Sequence, residues 1–168
     1  MPTIIEGKAF VYGANIDTDQ IYPGRFLDLT DPADVGGHAM AGVDARFAGE
    51  CRPGDIIVAA TNFGCGSSRE HAVVALKAAG VGAVLADSFG RIFFRNAINL
   101  GLPALVCPGI SRATTRGDRL TVDLESGIVR NRTKAIDLKA EALSEYIMNI
   151  LASGGIKPMI RASLGRTA

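Results

Sequence analysis

The chain has 168 residues, of which 48% are hydrophobic, and a formal net charge of +1. These values predict one domain over residues 1–168 with a substantial core, and they exclude the basic surface of a general nucleic-acid binder. No stretch approaches the roughly 18 apolar residues that cross a bilayer, and the first residues lack a signal-peptide pattern, so we expect a cytoplasmic protein without membrane contact.

The first third of the chain is predicted to be rich in loops. Residues 8–12 predict a short strand preceded by a flexible end, 1–7. A weak apolar pattern within 31–49 predicts a short helix that ends at Gly49. Three segments have the composition of loops or turns: Asp17-Thr18-Asp19, Pro23-Gly24-Arg25 and Arg52-Pro53-Gly54-Asp55.

The middle of the chain alternates between strand and helix patterns. In order, the elements are a strand over 55–60, a helix over 69–79, a strand over 81–86, a helix over 88–100 and a strand over 104–107. This alternation predicts parallel strands joined by right-handed crossovers, an α/β arrangement.

The last third begins with a predicted hairpin of residues 119–124 and 128–131 around Glu125-Ser126-Gly127. A helix is predicted over about 140–151. Residues from about 156 to 168 show no period and are expected to form a flexible end, although docking against a partner subunit is an alternative. Its basic residues are Lys157, Arg161 and Arg166.

The three cysteines, Cys51, Cys65 and Cys107, are odd in number and lack Cys-x-x-Cys spacing. They therefore fit neither a disulfide framework nor a self-contained metal site, and a reducing compartment suits them. We expect no metal to be bound by this chain alone.

The run from Asn62 to His71 lies where a predicted strand gives way to a helix, a common place for a ligand site. Gly64 and Gly66 permit positive φ, and Ser67 or Ser68 can cap the helix that follows. With the Arg69 guanidinium nearby, this turn predicts a site for a small anion. The alternative is an ordinary capped turn. Dinucleotide and P-loop patterns are excluded because the third glycine and a Gly-Lys-Ser/Thr are missing.

The segment Gly66-Ser67-Ser68-Arg69-Glu70-His71-Ala72 resembles the signature of the aconitase superfamily small subunits. That family includes isopropylmalate isomerase, homoaconitase and dimethylmalate dehydratase. The resemblance is strong from about residue 8 to 103. Three further blocks carry it in the same order: Asp17-Thr18-Asp19 through Leu27, Arg52-Pro53-Gly54-Asp55, and Ser88-Phe89-Gly90-Arg91-Ile92-Phe93-Phe94-Arg95-Asn96.

The resemblance implies the swivelling β/β/α domain of this family, in which a mixed barrel-like sheet is flanked by helices. It also implies a hydro-lyase that acts on a small hydroxy-dicarboxylate and is active only with a large subunit, as a heterodimer or heterotetramer. The large subunit is expected to carry a [4Fe-4S] cluster, and this chain no cofactor. A single Cys65 could not hold such a cluster, which takes about four thiolates.

The family's site residues map onto the turn. The resemblance makes Ser67 the base that removes a proton next to a substrate carboxylate, with Gly66, Ser68 and Arg69 as substrate-binding neighbours. Ionising a serine at pH 7 costs about 12 kcal/mol if its pKa resembles that of water, which is more than a helix terminus and one cation supply. The partner's metal is therefore expected to assist.

The loop upstream is expected to lie over the variable group of the substrate. Arg25 is either another carboxylate contact or a solvated residue, and Phe26 and Leu27 are equally plausible as core. Homoaconitase small subunits tend to carry a basic residue where this chain has Asp28 and Leu29. A negative charge there would repel a third carboxylate, which favours 3-isopropylmalate and a place in leucine biosynthesis over the homoaconitase or dimethylmalate reactions.

Asp17, Thr18 and Asp19 offer closely spaced oxygens, but three oxygens are too few for calcium. Asp17 and Asp19 are instead expected to bond backbone N–H groups or to pair with an arginine such as Arg69 or Arg91. His71 is expected to support the turn rather than to act as the base. Two other classes of function stay open, a non-catalytic module that binds small anions and an RNA-binding activity. Near-neutral charge and few aromatics give RNA binding no support.

Overall fold

The computed structural model describes residues 2–165. Its strands are β1 (Ile4–Tyr12), β2 (Ile56–Ala59), β3 (Ala83–Ala86), β4 (Ala104–Val106), β5 (Arg119–Asp123), β6 (Ile128–Asn131) and β7 (Ile136–Lys139). They form one mixed sheet in the order β4-β3-β2-β1-β5-β6-β7. The β1 to β4 half is parallel, and β5, β6 and β7 extend it antiparallel.

Short helices surround the sheet. They are α1 (Thr18–Ile21), α2 (Pro32–Gly36), α3 (Phe47–Glu50), α4 (His71–Ala78), α5 (Arg91–Asn99), α6 (Ile110–Ala113), α7 (Glu145–Ala152) and α8 (Ile156–Gly165), with a 3-10 turn over Gly24–Phe26. The predicted α/β class with a mixed, barrel-like sheet and flanking helices is confirmed by this curled half-barrel. No helix within residues 2–165 is long and apolar enough to span a membrane.

Both faces of the parallel half are buried. Ile57 and Ala59 of β2 point into one apolar cluster, while Ile56 and Val58 point into another on the opposite face. All four are 0% exposed, as expected when helices cover both sides of a parallel sheet. Because both faces of this half are covered, a ligand can reach it only at an edge, and in sheets of this kind ligands bind at the carboxyl ends of the strands.

The predicted strand and helix alternation from residue 55 to 107 and the hairpin of β5 and β6 are confirmed, with ends shifted by a few residues. The helix predicted within 31–49 was wrong, because α2 and α3 occupy that stretch as two separate turns. The edge strand β7 was not predicted, since its four residues are mostly exposed and show little apolar pattern.

The two chain ends also differ from the prediction of flexible segments. Residues 4–7 extend β1 beyond the predicted start at Lys8, because they pair with β5. Residues 156–165 form α8, whose Ile156 and Met159 pack on an apolar cluster with α5 and α7. Pro158 is tolerated because it lies in the first turn, where an amide N–H has no helical acceptor. Lys157 and Arg161 are exposed on this helix, and Arg166 lies outside the described residues.

Candidate active site at the carboxyl edge of the parallel strands

The loops that follow β1, β2 and β3 meet at the carboxyl edge of the sheet and are joined there by backbone hydrogen bonds. The Gly64 N–H donates to the Ile16 carbonyl at 2.7 Å, and the Thr18 N–H donates to the Cys65 carbonyl at 2.9 Å. On the other side, the Gly90 N–H donates to the Phe63 carbonyl at 2.9 Å. These bonds bring together three segments that are far apart in sequence.

Glycines make this convergence possible. Gly64 has φ of +81°, and a Cβ there would lie 2.2 Å from Cγ of Phe93. Gly66 has φ of +101°, and a Cβ there would lie 3.4 Å from Oγ1 of Thr18. The positive φ therefore favours glycine at both positions, and at Gly64 the Phe93 ring also leaves no room for a Cβ.

Ser67 is exposed at this edge, and its hydroxyl lies 3.0 Å from the Oγ1 atom of Thr18. Helix α4 begins at His71 instead of Arg69, and its N-cap, Glu70, makes no side-chain cap bond. The prediction that Ser67 or Ser68 caps this helix was therefore wrong, because the helix begins later in the chain and the Ser67 hydroxyl bonds Thr18 instead.

Backbone donors accompany the serine. Within residues 2–165, the N–H groups of Ser67, Ser68 and Arg69 have no acceptor in the protein. Ser68 is exposed, and its carbonyl accepts a bond from Nδ2 of Asn96 at 3.3 Å, which ties the turn to α5. Consecutive free N–H groups of this kind form a favourable environment for an anion.

The Arg69 guanidinium is held beside this turn by Asp19. Its Nη1 atom lies 3.2 Å from Oδ1 of Asp19, which also accepts the Gly24 N–H at 2.9 Å. The bond from Gly24, followed by that from Arg69, lowers the pKa of the Asp19 carboxyl. A Cβ at Gly24 would lie 3.2 Å from the same Nη1, so the guanidinium rests against a bare backbone. Of the alternatives for Asp19, the structure has it in both roles, bonding backbone and pairing with Arg69.

Asp17 has a different role. Its side chain accepts the Gln20 N–H at 2.8 Å, while the Gln20 side chain accepts the Asp17 N–H at 3.0 Å. This reciprocal pair is a capping box that fixes the start of α1. Asp17 thus belongs to the backbone-bonding alternative. It sets the position of the next residue, Thr18.

The loop before α2 is ordered by aromatic stacking. The Arg25 guanidinium lies 4.5 Å from the centre of the Phe26 ring, and the His38 ring stacks on Phe26 at 3.8 Å. The Phe26 ring therefore contacts both a cation and an imidazole. Tyr22 donates its hydroxyl to the Phe26 carbonyl at 2.6 Å and stacks on His71 at 6.1 Å. His71, which is exposed, thus lies where this loop meets α4.

The remaining loop residues divide into two groups. Phe26, Leu27 and Leu29 are partly buried and pack against the larger core cluster, whereas Arg25 and Asp28 are exposed. Phe26 and Leu27 are therefore core residues in part, since one portion of each side chain packs on the core and the rest is accessible to solvent. The charges of Arg25 and Asp28 remain available to a ligand or a partner chain.

A groove of about 540 Å³ adjoins the serine turn and was not predicted as part of the site. It is lined by Asn62, Gly64, Cys65, Gly66, Gly90, Arg91, Ile92 and Arg95. Arg91 and Arg95 pair with no carboxylate within residues 2–165. A sequence signal existed, since two arginines four residues apart at the start of a helix share one face.

The cysteines are unpaired and lie apart. Burial raises the pKa of the Cys51 and Cys107 thiols to about 11, while Cys65 is half-buried in the groove. Among residues 2–165 no three His, Cys, Asp or Glu side chains form a group that could hold a metal ion. This part of the chain therefore does not fit an iron–sulfur cluster, for which Cys65 offers a single thiolate.

Comparison with known proteins places these residues in a family context. The aconitase C-terminal domain family matches residues 34–108. The 3-isopropylmalate dehydratase small subunit 1 of Methanopyrus kandleri is 51% identical, over 96% of this chain and 95% of its own length. The 2,3-dimethylmalate dehydratase small subunit of Eubacterium barkeri is 47% identical, over 94% of this chain and 97% of its own.

A solved structure of the same family has nearly the same fold. The crystal structure of 3-isopropylmalate dehydratase from Methanocaldococcus jannaschii superposes with a TM-score of 0.93 at 41% identity, covering 98% of this chain and 97% of that one. The isopropylmalate/citramalate isomerase small subunit of the same organism is 47% identical, over 99% of both chains.

Proposed function

The chain belongs to the aconitase family, in its group of dehydratase small subunits, and from this premise we propose that it is the small subunit of a 3-isopropylmalate dehydratase. The complete enzyme would interconvert 2-isopropylmalate and 3-isopropylmalate in leucine biosynthesis, by dehydration and rehydration. One observation carries the proposal furthest. An exposed serine hydroxyl, three free backbone N–H groups and an anchored guanidinium share one turn.

Each group has a role in the proposed reaction. Ser67, in its ionised form, takes the proton from the carbon next to a carboxylate, and the C–H electron pair becomes the new double bond as hydroxide leaves. Arg69 binds that carboxylate through its planar fork of donors, together with the free N–H groups of the turn. We assign Arg25, which is exposed on the loop before α2, to the second carboxylate.

A partner subunit is expected because the relatives of this chain are named as small subunits. We propose a large subunit that carries a [4Fe-4S] cluster, a group that supplies Lewis-acid chemistry when bound. It would dock against the carboxyl edge of the sheet, as a heterodimer or heterotetramer. Three unpaired cysteines suit the reducing cytoplasm, where we place the enzyme.

The proposed preference for 3-isopropylmalate rests on the loop before α2, residues 25–29. Exposed Asp28 adds a negative charge beside Leu27 and Leu29, which opposes a third carboxylate and suits an isopropyl group. The relatives named for 2,3-dimethylmalate and citramalate are almost as similar as those named for 3-isopropylmalate, so identity alone does not rank these substrates.

The test is reconstitution. This chain and its large subunit are mixed anaerobically and assayed with 3-isopropylmalate, homocitrate and 2,3-dimethylmalate side by side, with 3-isopropylmalate expected to give the highest kcat/KM. Ser67→Ala should lower kcat by at least about 100-fold with near-normal substrate binding, because a general base is lost. The adjacent Ser68→Ala is the matched control and should lose far less.

Two results would reject the proposal. Wild-type turnover in the Ser67→Ala complex would reject Ser67 as the base. A higher kcat/KM with homocitrate or 2,3-dimethylmalate would keep the enzyme class and reject the substrate.

A further inference from the structure

Thr18 is the side chain that contacts the Ser67 hydroxyl. Their oxygens lie 3.0 Å apart, and either hydroxyl can be the donor. Thr18 is 2% exposed, so its hydroxyl is largely shielded from water. Ser67, by contrast, is exposed at the carboxyl edge. One partner of this pair is fixed inside the protein and the other faces the site.

Hydrogen bonds to its own backbone and to the preceding residue fix the position of Thr18. Its N–H donates to the Cys65 carbonyl at 2.9 Å, and its carbonyl accepts the Tyr22 N–H at 2.9 Å. The capping box of Asp17 and Gln20 fixes the residue before it. The Thr18 hydroxyl thus belongs to a rigid element that is itself bonded to the strand-to-helix turn carrying Ser67.

Ionisation of Ser67 decides which hydroxyl donates. A serine that has lost its proton can only accept, so Thr18 must then be the donor. A hydrogen bond to an ionised acceptor is about twice as strong as a neutral one, and it is stronger still where water is excluded. The same contact therefore favours the ionised serine over the neutral one.

Building on the proposed function, we propose that Thr18 is a positioning residue for the reaction: it donates a hydrogen bond to Ser67 Oγ, orients that atom and stabilises its ionised form. Asp17 and the Cys65 carbonyl serve this contact, since the capping box of Asp17 places the threonine and the Cys65 carbonyl bonds its backbone. From the sequence, Thr18 was considered only as an oxygen ligand for a cation and was given no role in the reaction.

The test compares two substitutions in the reconstituted complex. Thr18→Val keeps the shape and removes the donor, and it should lower kcat about 10- to 100-fold at pH 7 while KM changes less than about threefold. Thr18→Ser keeps the hydroxyl and should restore most of that loss. Because loss of the donor raises the pKa of Ser67, kcat of Thr18→Val should rise more steeply with pH than that of the wild type.

A purely structural role would give a different pattern. Thr18→Val and Thr18→Ser would then differ in thermal stability and subunit assembly, while kcat per assembled complex and its pH profile would match the wild type. That outcome overturns the proposal, as does an equal loss of kcat in both variants. If Thr18→Val does not fold, Thr18→Ala is measured instead, with the same expectations.

Ser67→Ala separates this proposal from the proposed function. In that background Thr18→Val should lower kcat no further, because both changes act on one proton transfer. If Ser67→Ala alone retains turnover, the assignment of the base fails. If Ser67→Ala loses turnover and Thr18→Val does not, only the role of Thr18 fails.

Discussion

Gly64→Ala tests how closely the segment 64–69, which carries Ser67, packs against α5. Gly64 has φ of +81°, and a Cβ there would lie 2.2 Å from Cγ of Phe93, a ring that is 2% exposed. The left-handed backbone costs a non-glycine residue about 1–2 kcal/mol, and overpacking a filled core costs about 1–3 kcal/mol more. We expect the free energy of unfolding to fall by about 2–5 kcal/mol.

Two matched glycines separate these contributions. Gly117 has φ of +94° but no neighbour within 4 Å of a Cβ, so Gly117→Ala should cost only about 1–2 kcal/mol. Gly49 has neither feature, so Gly49→Ala should be neutral or stabilising by up to about 1 kcal/mol. Urea unfolding is followed by far-UV circular dichroism, since the chain has no tryptophan. The reasoning is refuted if Gly64→Ala is no more destabilising than Gly117→Ala.

Three further predictions concern the site. Arg69→Lys should raise KM for 3-isopropylmalate about 10-fold or more, because lysine cannot bind a carboxylate with two parallel bonds; an unchanged KM would place the carboxylate elsewhere. At pH 8 a maleimide should label Cys65 alone. Cys51 and Cys107 are buried, and with a pKa of about 11 only about 0.1% of each thiol is ionised at that pH. Two or three rapid adducts in mass spectrometry would contradict this. Asp28→Arg should shift kcat/KM toward homocitrate relative to 3-isopropylmalate, because the added charge attracts a third carboxylate; an unchanged ratio would remove the loop from substrate selection.

The parallel half of the fold could be predicted from the sequence because its signals are local. A run such as Ile56–Ala59 is apolar throughout, and α4 and α5 carry apolar residues at helical spacing, so each segment has one favourable conformation. Residues such as Gly80 and Gly101, at φ of +98° and +82°, end the helices as expected. The short elements were missed because four-residue segments such as α1 and β7 depend on caps and neighbours rather than on a period.

The sequence by itself determined the chemistry of the site: two glycines, two serines and an arginine in one turn after a buried strand, with the residue types that an anion and a proton transfer need. Only the tertiary structure decided how these groups are used. Ser67 bonds Thr18 across 49 residues, and Arg69 pairs with Asp19 across 50, because strand pairing brings the ends of β1 and β2 to one edge. Side-chain partners of that kind are set by the order of strands in a sheet, and local sequence patterns carry no record of it.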